Sequence, residues 1–165
     1  MQGINVAIIG VTSLKPRNRG FDVTKRALFD DPVKTMSRLA AEAGEKSDIQ
    51  IALSHAGFDV DLDMRGISAV VGGDSHTKLT EPVPVKDGDK RIPVVQAGGE
   101  EDNYLGRLDL VYTNVKGQWV LKEFSGYLFP LDNVAADIEI QDILDKYDAQ
   151  LFSKGAPAWQ LPQAA

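Results

Sequence analysis

Residues 4–12 (INVAIIGVT) form an almost unbroken apolar, β-branched run with Gly10 near its end. That pattern predicts a strand buried on both faces. Residues 13–30 are polar, contain Pro16 and Gly20, and carry Lys15, Arg17, Arg19, Lys25 and Arg26, as a long surface loop would. Asp31 then precedes Pro32, an N-cap acid followed by a proline in the first helical turn. Behind it Val33, Met36, Leu39, Ala40 and Ala43 recur at helical spacing, and Gly44 supplies a stop.

Residues 48–54 (DIQIALS) predict a second strand that delivers His55 and Gly57 just past its end. A short helical piece over 59–65 leads to a third strand over 67–71, which runs into Gly72-Gly73-Asp74-Ser75-His76. Strand, helix, strand, helix, strand is the order of parallel βαβ units with right-handed crossovers. Beyond them the pattern changes. Residues 92–97, 104–112 and 118–129 predict strands, with hairpin punctuation at Asp87-Gly88 and Lys116-Gly117. A last helix over 138–152 places Ile140, Ile143, Leu144, Tyr147 and Leu151 at helical spacing. Asp137 and Glu139 stand at its positive end. Residues 155–165 predict a linker or tail, which leaves 1–154 as the folded domain.

The chain has 165 residues, 43% of them hydrophobic and 25% charged, which fits one globular domain with a core of its own and excludes global disorder. Eighteen basic against 24 acidic residues give a net charge of −6. Neither a nucleic-acid polymer nor an anionic membrane is an expected partner of such a surface. Zero cysteines exclude disulfides, thiolate metal sites and cysteine nucleophiles. The first residues lack the basic start and apolar core of a signal peptide, so as written nothing directs the chain out of the cytoplasm. An upstream leader would make it periplasmic or extracellular.

The candidate chemistry gathers at two strand exits. In an open α/β sheet, ligands bind beyond the carboxyl ends of parallel strands. His55 follows the second strand, and Asp74 and His76 follow the third. In an extended segment the spacing of two would point Asp74 and His76 to one face. Two imidazoles and a carboxylate are a competent donor set for a divalent ion. The alternative is equally physical: histidines that are merely hydrogen-bonded at strand ends, and a glycine turn in which Asp74 caps the backbone.

The blocks INVAIIGVT, IALSHAGFDVD, GISAVVGGDSHT, IPVVQAGG and YLGRLDLVY, in this order, resemble the calcineurin-type metallophosphoesterases, and their 5′-nucleotidase branch most. Residues 129–147 (FPLDNVAADIEIQDILDKY) are similar to the segment that leads to the linker helix of that branch. The resemblance implies an α/β fold, the C-terminal half of a four-layer αββα sandwich with a mixed sheet and a terminal linker helix. It implies divalent metal ions, manganese, zinc or similar, with one ion or none held by this chain. It also implies phosphoester hydrolysis, most closely the release of phosphate from nucleotides or other phosphomonoesters. By position His55 and His76 correspond to metal ligands of the family, and Asp74 stands where the family carries a histidine ligand.

Other features depart from that pattern. The N-terminal D-x-H, G-D and G-N-H-E motifs do not occur ahead of His55, where the family carries them, so no catalytic residue is assigned to this chain. The resemblance therefore implies activity only with a missing N-terminal half, or else self-association of the uncovered half-sandwich. Its alternatives are a non-catalytic remnant or interaction module that keeps the fold, and a thiosulfate-cleaving relative of the same superfamily. Glu100, Glu101 and Asp102 put three acids near the expected site, either facing it and repelling phosphate or forming a solvated turn.

Overall fold

The structure is a computed structural model of the chain, and residues 3–14, 29–99 and 102–153 are described. The tail from 155 onward, the basic residues of the 13–30 loop, Glu100 and Glu101 lie outside them. The chain divides into two compact units, Met1–Leu131 and Asp132–Ala165.

The first unit is built on a five-stranded sheet of order β1-β2-β3-β5-β4. Strands β1 (Val6–Thr12), β2 (Ile49–His55), β3 (Ala69–Val71) and β5 (Lys90–Val95) run parallel, and β4 (Val83–Asp87) lies antiparallel to β5. Helix α1 (Pro32–Gly44) makes the β1-to-β2 crossover. The Asp31 carboxylate accepts a hydrogen bond from the Lys34 amide at 2.9 Å, so the expected cap and Pro32 start are both in place. Helix α2 (Phe58–Asp61) makes the next crossover and is one turn long, shorter than the segment over 59–65 that the pattern suggests.

Parallel register fixes which residues share a face. Ile9, Ala52, Val70 and Val94 point to the side of α1 and are at most 8% exposed. With Met36 and Ala40 of α1, Met64, Ile67, Val85 and Ile92 they form the core. The opposite face is open at its β1 end. Val6 is 47% exposed, Ile8 70% and Leu53 54%. The expectation of a first strand buried on both faces is therefore corrected: β1 is an edge strand with one covered face. Its apolar run reports what the strand is made to bury, not how much is covered here.

Three further differences have local causes. Strand β4 is not among the strands the pattern predicts, which has only the punctuation at Asp87-Gly88 there, and Pro84 is unusual in a strand interior. Its position at the sheet edge resolves that, and Pro84 faces Pro93 of β5 in register, a pair that needs no amide hydrogen. The third strand is three residues long where five were expected, and His55 ends β2 rather than following it. Strands β6 (Tyr104–Val115) and β7 (Gln118–Pro130) are longer than the pattern suggests and form a separate two-stranded sheet. Lys116 (φ 52°) and Gly117 (φ 87°) close that hairpin with two left-handed residues, as a type I′ turn requires. Gly126 lies against Pro82 and Gly106 against Ala97, so the hairpin rests on the face opposite α1, over β3 and β5.

The second unit contains helix α3 (Ile138–Ser153). The Asp137 carboxylate accepts from the Glu139 and Ile140 amides at 2.9 and 3.2 Å, so that acid caps the helix directly as well as suiting its dipole. Among the described residues, no helix is long and apolar enough to cross a membrane.

Candidate site at the β2 and β3 exits

Pairing of β2 with β3 brings the two predicted exits side by side, because Leu53 lies opposite Val71 in register. His55 is the final residue of β2, and its carbonyl accepts from the Ser13 amide at 2.9 Å, which ties the β1 and β2 ends together. Its imidazole projects into solvent with 68% exposure, and its Nε2 stands 3.7 Å from Oδ1 of Asp74. That is ion-pair range and too long for a hydrogen bond. The Asp74 side chain is only 9% exposed.

The turn that carries Asp74 is held from several sides. Gly72 donates to the Val95 carbonyl at 2.8 Å. A Cβ at Gly72 would collide with Oδ2 of Asp61 at 2.2 Å, so only glycine passes there. Asp74 (φ 72°) and His76 (φ 55°) both take left-handed backbone, which costs other L-residues more than Asp, Asn or His. The expectation that these two side chains share a face rested on an extended segment, and it is corrected here. Asp74 lies beside His55. The His76 ring lies against Gly99, where a Cβ would come within 2.6 Å of Nδ1.

Ser75, between them, is the pin of the turn. Its hydroxyl accepts from the Phe58 amide at 3.0 Å, the first residue of α2, and donates to Oε1 of Gln96 at 2.8 Å. Gln96 is 4% exposed and its Oε1 also accepts from the Thr77 amide at 3.0 Å. The loop after β5 therefore fixes the loop after β3.

A buried carboxyl lies behind this turn. Oδ1 of Asp61 accepts from the Ser54 hydroxyl at 2.5 Å, while Oδ2 has no hydrogen-bond partner among the described residues. Burial, helped by the charge of Asp74, raises its pKa from 3.8 to about 6, and the Ser54 hydrogen bond opposes the shift. Neither Asp61 nor Gln96 was singled out by the sequence. The available signal for Gln96 was a polar residue inside the apolar run VVQA, whereas Asp61 is one of three alternating acids in FDVDLDM and carries no signal of its own.

Asp102, the described member of the acidic loop, does not face the His55–Asp74 pair. Its carboxylate accepts from the Gly99 amide at 3.0 Å and pairs with Lys78 Nζ at 2.9 Å. Lys78 also lies 4.9 Å above the Tyr104 ring. The ion pair lowers the Asp102 pKa and raises that of Lys78.

The donor set decides whether a metal fits. Among the described residues, no group of three or more histidine, aspartate or glutamate side chains could hold an ion. His55 and Asp74 form a two-residue start, and His76 is engaged elsewhere. A resident metal centre needs at least three protein ligands, so these residues by themselves do not fit one.

Comparison with protein-family profiles and with curated protein sequences gives no match. Among solved structures the chain is similar to the calcineurin-like phosphoesterase YfkN from Bacillus subtilis. The TM-score is 0.66 and the identity 21%, over 90% of this chain and 52% of that one. The chain thus spans about half the length of the solved structure it matches. The architecture is that of a calcineurin-like phosphoesterase, with helices against a mixed sheet whose parallel strands deliver His55 and Asp74 at their carboxyl ends.

Proposed function

We propose that this chain contributes part of the site of a divalent-metal-dependent phosphoester hydrolase of the 5′-nucleotidase type, acting on phosphomonoesters such as nucleotides. The observation that carries this reading is the juxtaposition of His55 and Asp74 at adjacent strand exits, on the fold shared with a calcineurin-like phosphoesterase. In this reading His55 and Asp74 supply two ligands, while His76 lies against Gly99, and the remaining ligands come from outside the described residues. Ser75 hydrogen-bonded to the buried Gln96, and the buried Ser54–Asp61 pair behind the turn, hold the pair in place. No chemical step is assigned to an ion, because two donors do not fix one.

Titration calorimetry with Mn²⁺ and phosphate release from AMP test this proposal. The expected result is weak ion binding that disappears in His55→Ala and Asp74→Ala, with no phosphate release by the chain alone. Release is expected once a polypeptide supplying the remaining ligands is added. Ion binding unchanged in both variants overturns the assignment of the site. A second reading, a non-catalytic module that keeps the fold, is supported by the pairing of Lys78 with Asp102 and by a His55–Asp74 pair that gains no third ligand among the described residues. It predicts that no added polypeptide restores turnover.

A further inference from the structure

One side chain reaches both of the strand exits that carry the candidate pair. Asp61 is the last residue of α2, the one-turn crossover from β2 to β3. Its backbone is fixed on both sides: its amide donates to the Gly57 carbonyl at 3.0 Å, and its carbonyl accepts from the Met64 amide at 3.2 Å. From there one carboxyl oxygen takes the Ser54 hydroxyl, one residue before His55. The other occupies the space where a Cβ of Gly72 would lie, two residues before Asp74. A carboxyl that is 1% exposed is costly to bury, and an apolar side chain of similar size would fill the space at lower cost. An apolar side chain would not, however, hold one strand end by a hydrogen bond while setting the distance to the next.

We propose that Asp61 is a positioning residue for the His55–Asp74 pair, a two-pronged spacer that registers the β3 exit against the β2 exit through Ser54 and Gly72. The 3.7 Å between His55 Nε2 and Asp74 Oδ1 is then set from behind, by a group on a third element. The role calls for the shape of the group and not for its charge. Asparagine keeps both prongs, with an oxygen for the Ser54 hydroxyl and an amide nitrogen against Gly72, and it removes a negative charge that Asp74 opposes. Alanine keeps neither prong. The role also ties position 61 to position 72 by size. Oδ2 of Asp61 and a Cβ at Gly72 compete for one space, so a shorter residue at 61 admits a larger one at 72. All of these contacts are made within the first compact unit. Their bearing on ion binding rests on the function proposed above; the spacing of the pair does not.

NMR of the His55 ring and the Asp74 amide in the full chain, read beside Mn²⁺ titration calorimetry, tests the spacer. Asp61→Asn is expected to leave both signals near their parent positions and to keep Mn²⁺ affinity within about twofold. Asp61→Ala is expected to shift both signals and to weaken Mn²⁺ binding by about tenfold or more, with circular dichroism unchanged. Gly72→Ala, destabilising in the parent, is expected to lose at least half of its cost in an Asp61→Ala background. Should Asp61→Ala fail to fold, Ser54→Ala removes the partner of one prong with little loss of volume and is expected to shift the Asp74 amide across the strand pair. Signals that stay in place in Asp61→Ala, or in Ser54→Ala where that variant decides, overturn the proposal. So does Asp61→Asn shifting them as far as alanine does, or Gly72→Ala costing the same in both backgrounds. A parent chain that binds no Mn²⁺ overturns the phosphoester reading, and the NMR and stability measurements still decide the spacer.

Discussion

Ile8 and Ile9 are neighbours in the same strand, yet one is 70% exposed and the other 8%. Ile9 points to the face that α1 covers, where Met36 and Ala40 meet Ala52, Val70 and Val94 in a continuous core. Ile8 points to the face that the β6–β7 hairpin covers only over β3 and β5. One face is finished and the other is finished at one end only. Stability therefore resides on the helical face, while the exposed apolar residues of β1 and β2 lie on the other. The candidate site sits at the strand exits, and its buried supports, Ser54, Asp61 and Gly72, belong to the finished side.

Substitutions that test this contrast fall in a clear order. Met36→Ala empties a fully buried position under α1 and is expected to cost about 2–5 kcal/mol in denaturant unfolding. A loss below about 1 kcal/mol there would mean that the helical face is not the seat of the core. Gly72→Ala forces a Cβ into Asp61 Oδ2 and is expected to cost about 1–3 kcal/mol, with a changed environment at His55 visible by NMR. Asp31→Ala removes the cap of α1 and is expected to cost about 0.5–2 kcal/mol. Leu53→Ser lies on the unfinished face, 54% exposed, and is expected to stay within about 0.5 kcal/mol of the parent.

A pH series sharpens the same contrast from the side of charge. The folded chain holds the Asp61 proton up to about pH 6, whereas the unfolded chain releases it near 3.8. Between those values the folded state binds the extra proton, so the Asp61 contribution to stability falls as pH rises through the window and is level above it. Asp61→Asn is expected to remove that slope and to be more stable than the parent at pH 7. An unchanged slope between pH 4 and 6 would show that Asp61 is not the titrating group.

Much of this was legible from residue order. The cap and first turn of α1 follow from Asp31-Pro32, and the parallel strands follow from alternation of apolar runs with a capped helix. The meeting of His55 and Asp74 follows from the rule that neighbouring parallel strands end on the same side. What was not legible depends on long-range packing. Exposure of Ile8 and Leu53 is decided by what covers the strand, which local pattern does not encode. Pro84 argues against a strand at β4 until that strand is known to lie at an edge. The separation of Asp74 from His76 follows from left-handed backbone at both positions, on either side of Ser75, which an extended reading of the segment does not contain. Asp61 was invisible because its role is to sit behind a glycine rather than in a motif.

The left-handed backbone at position 74 has a further consequence, for how this turn can change over generations. A residue held at φ 72° is drawn from a short alphabet, since glycine, asparagine, aspartate and histidine enter that region at little cost and β-branched residues do not. Two of those four letters are metal-ligating side chains that differ in charge and hardness. Histidine and aspartate can thus replace one another here without rebuilding the loop. The backbone acts as a filter that narrows the choice of residue at this position while leaving its charge free to change.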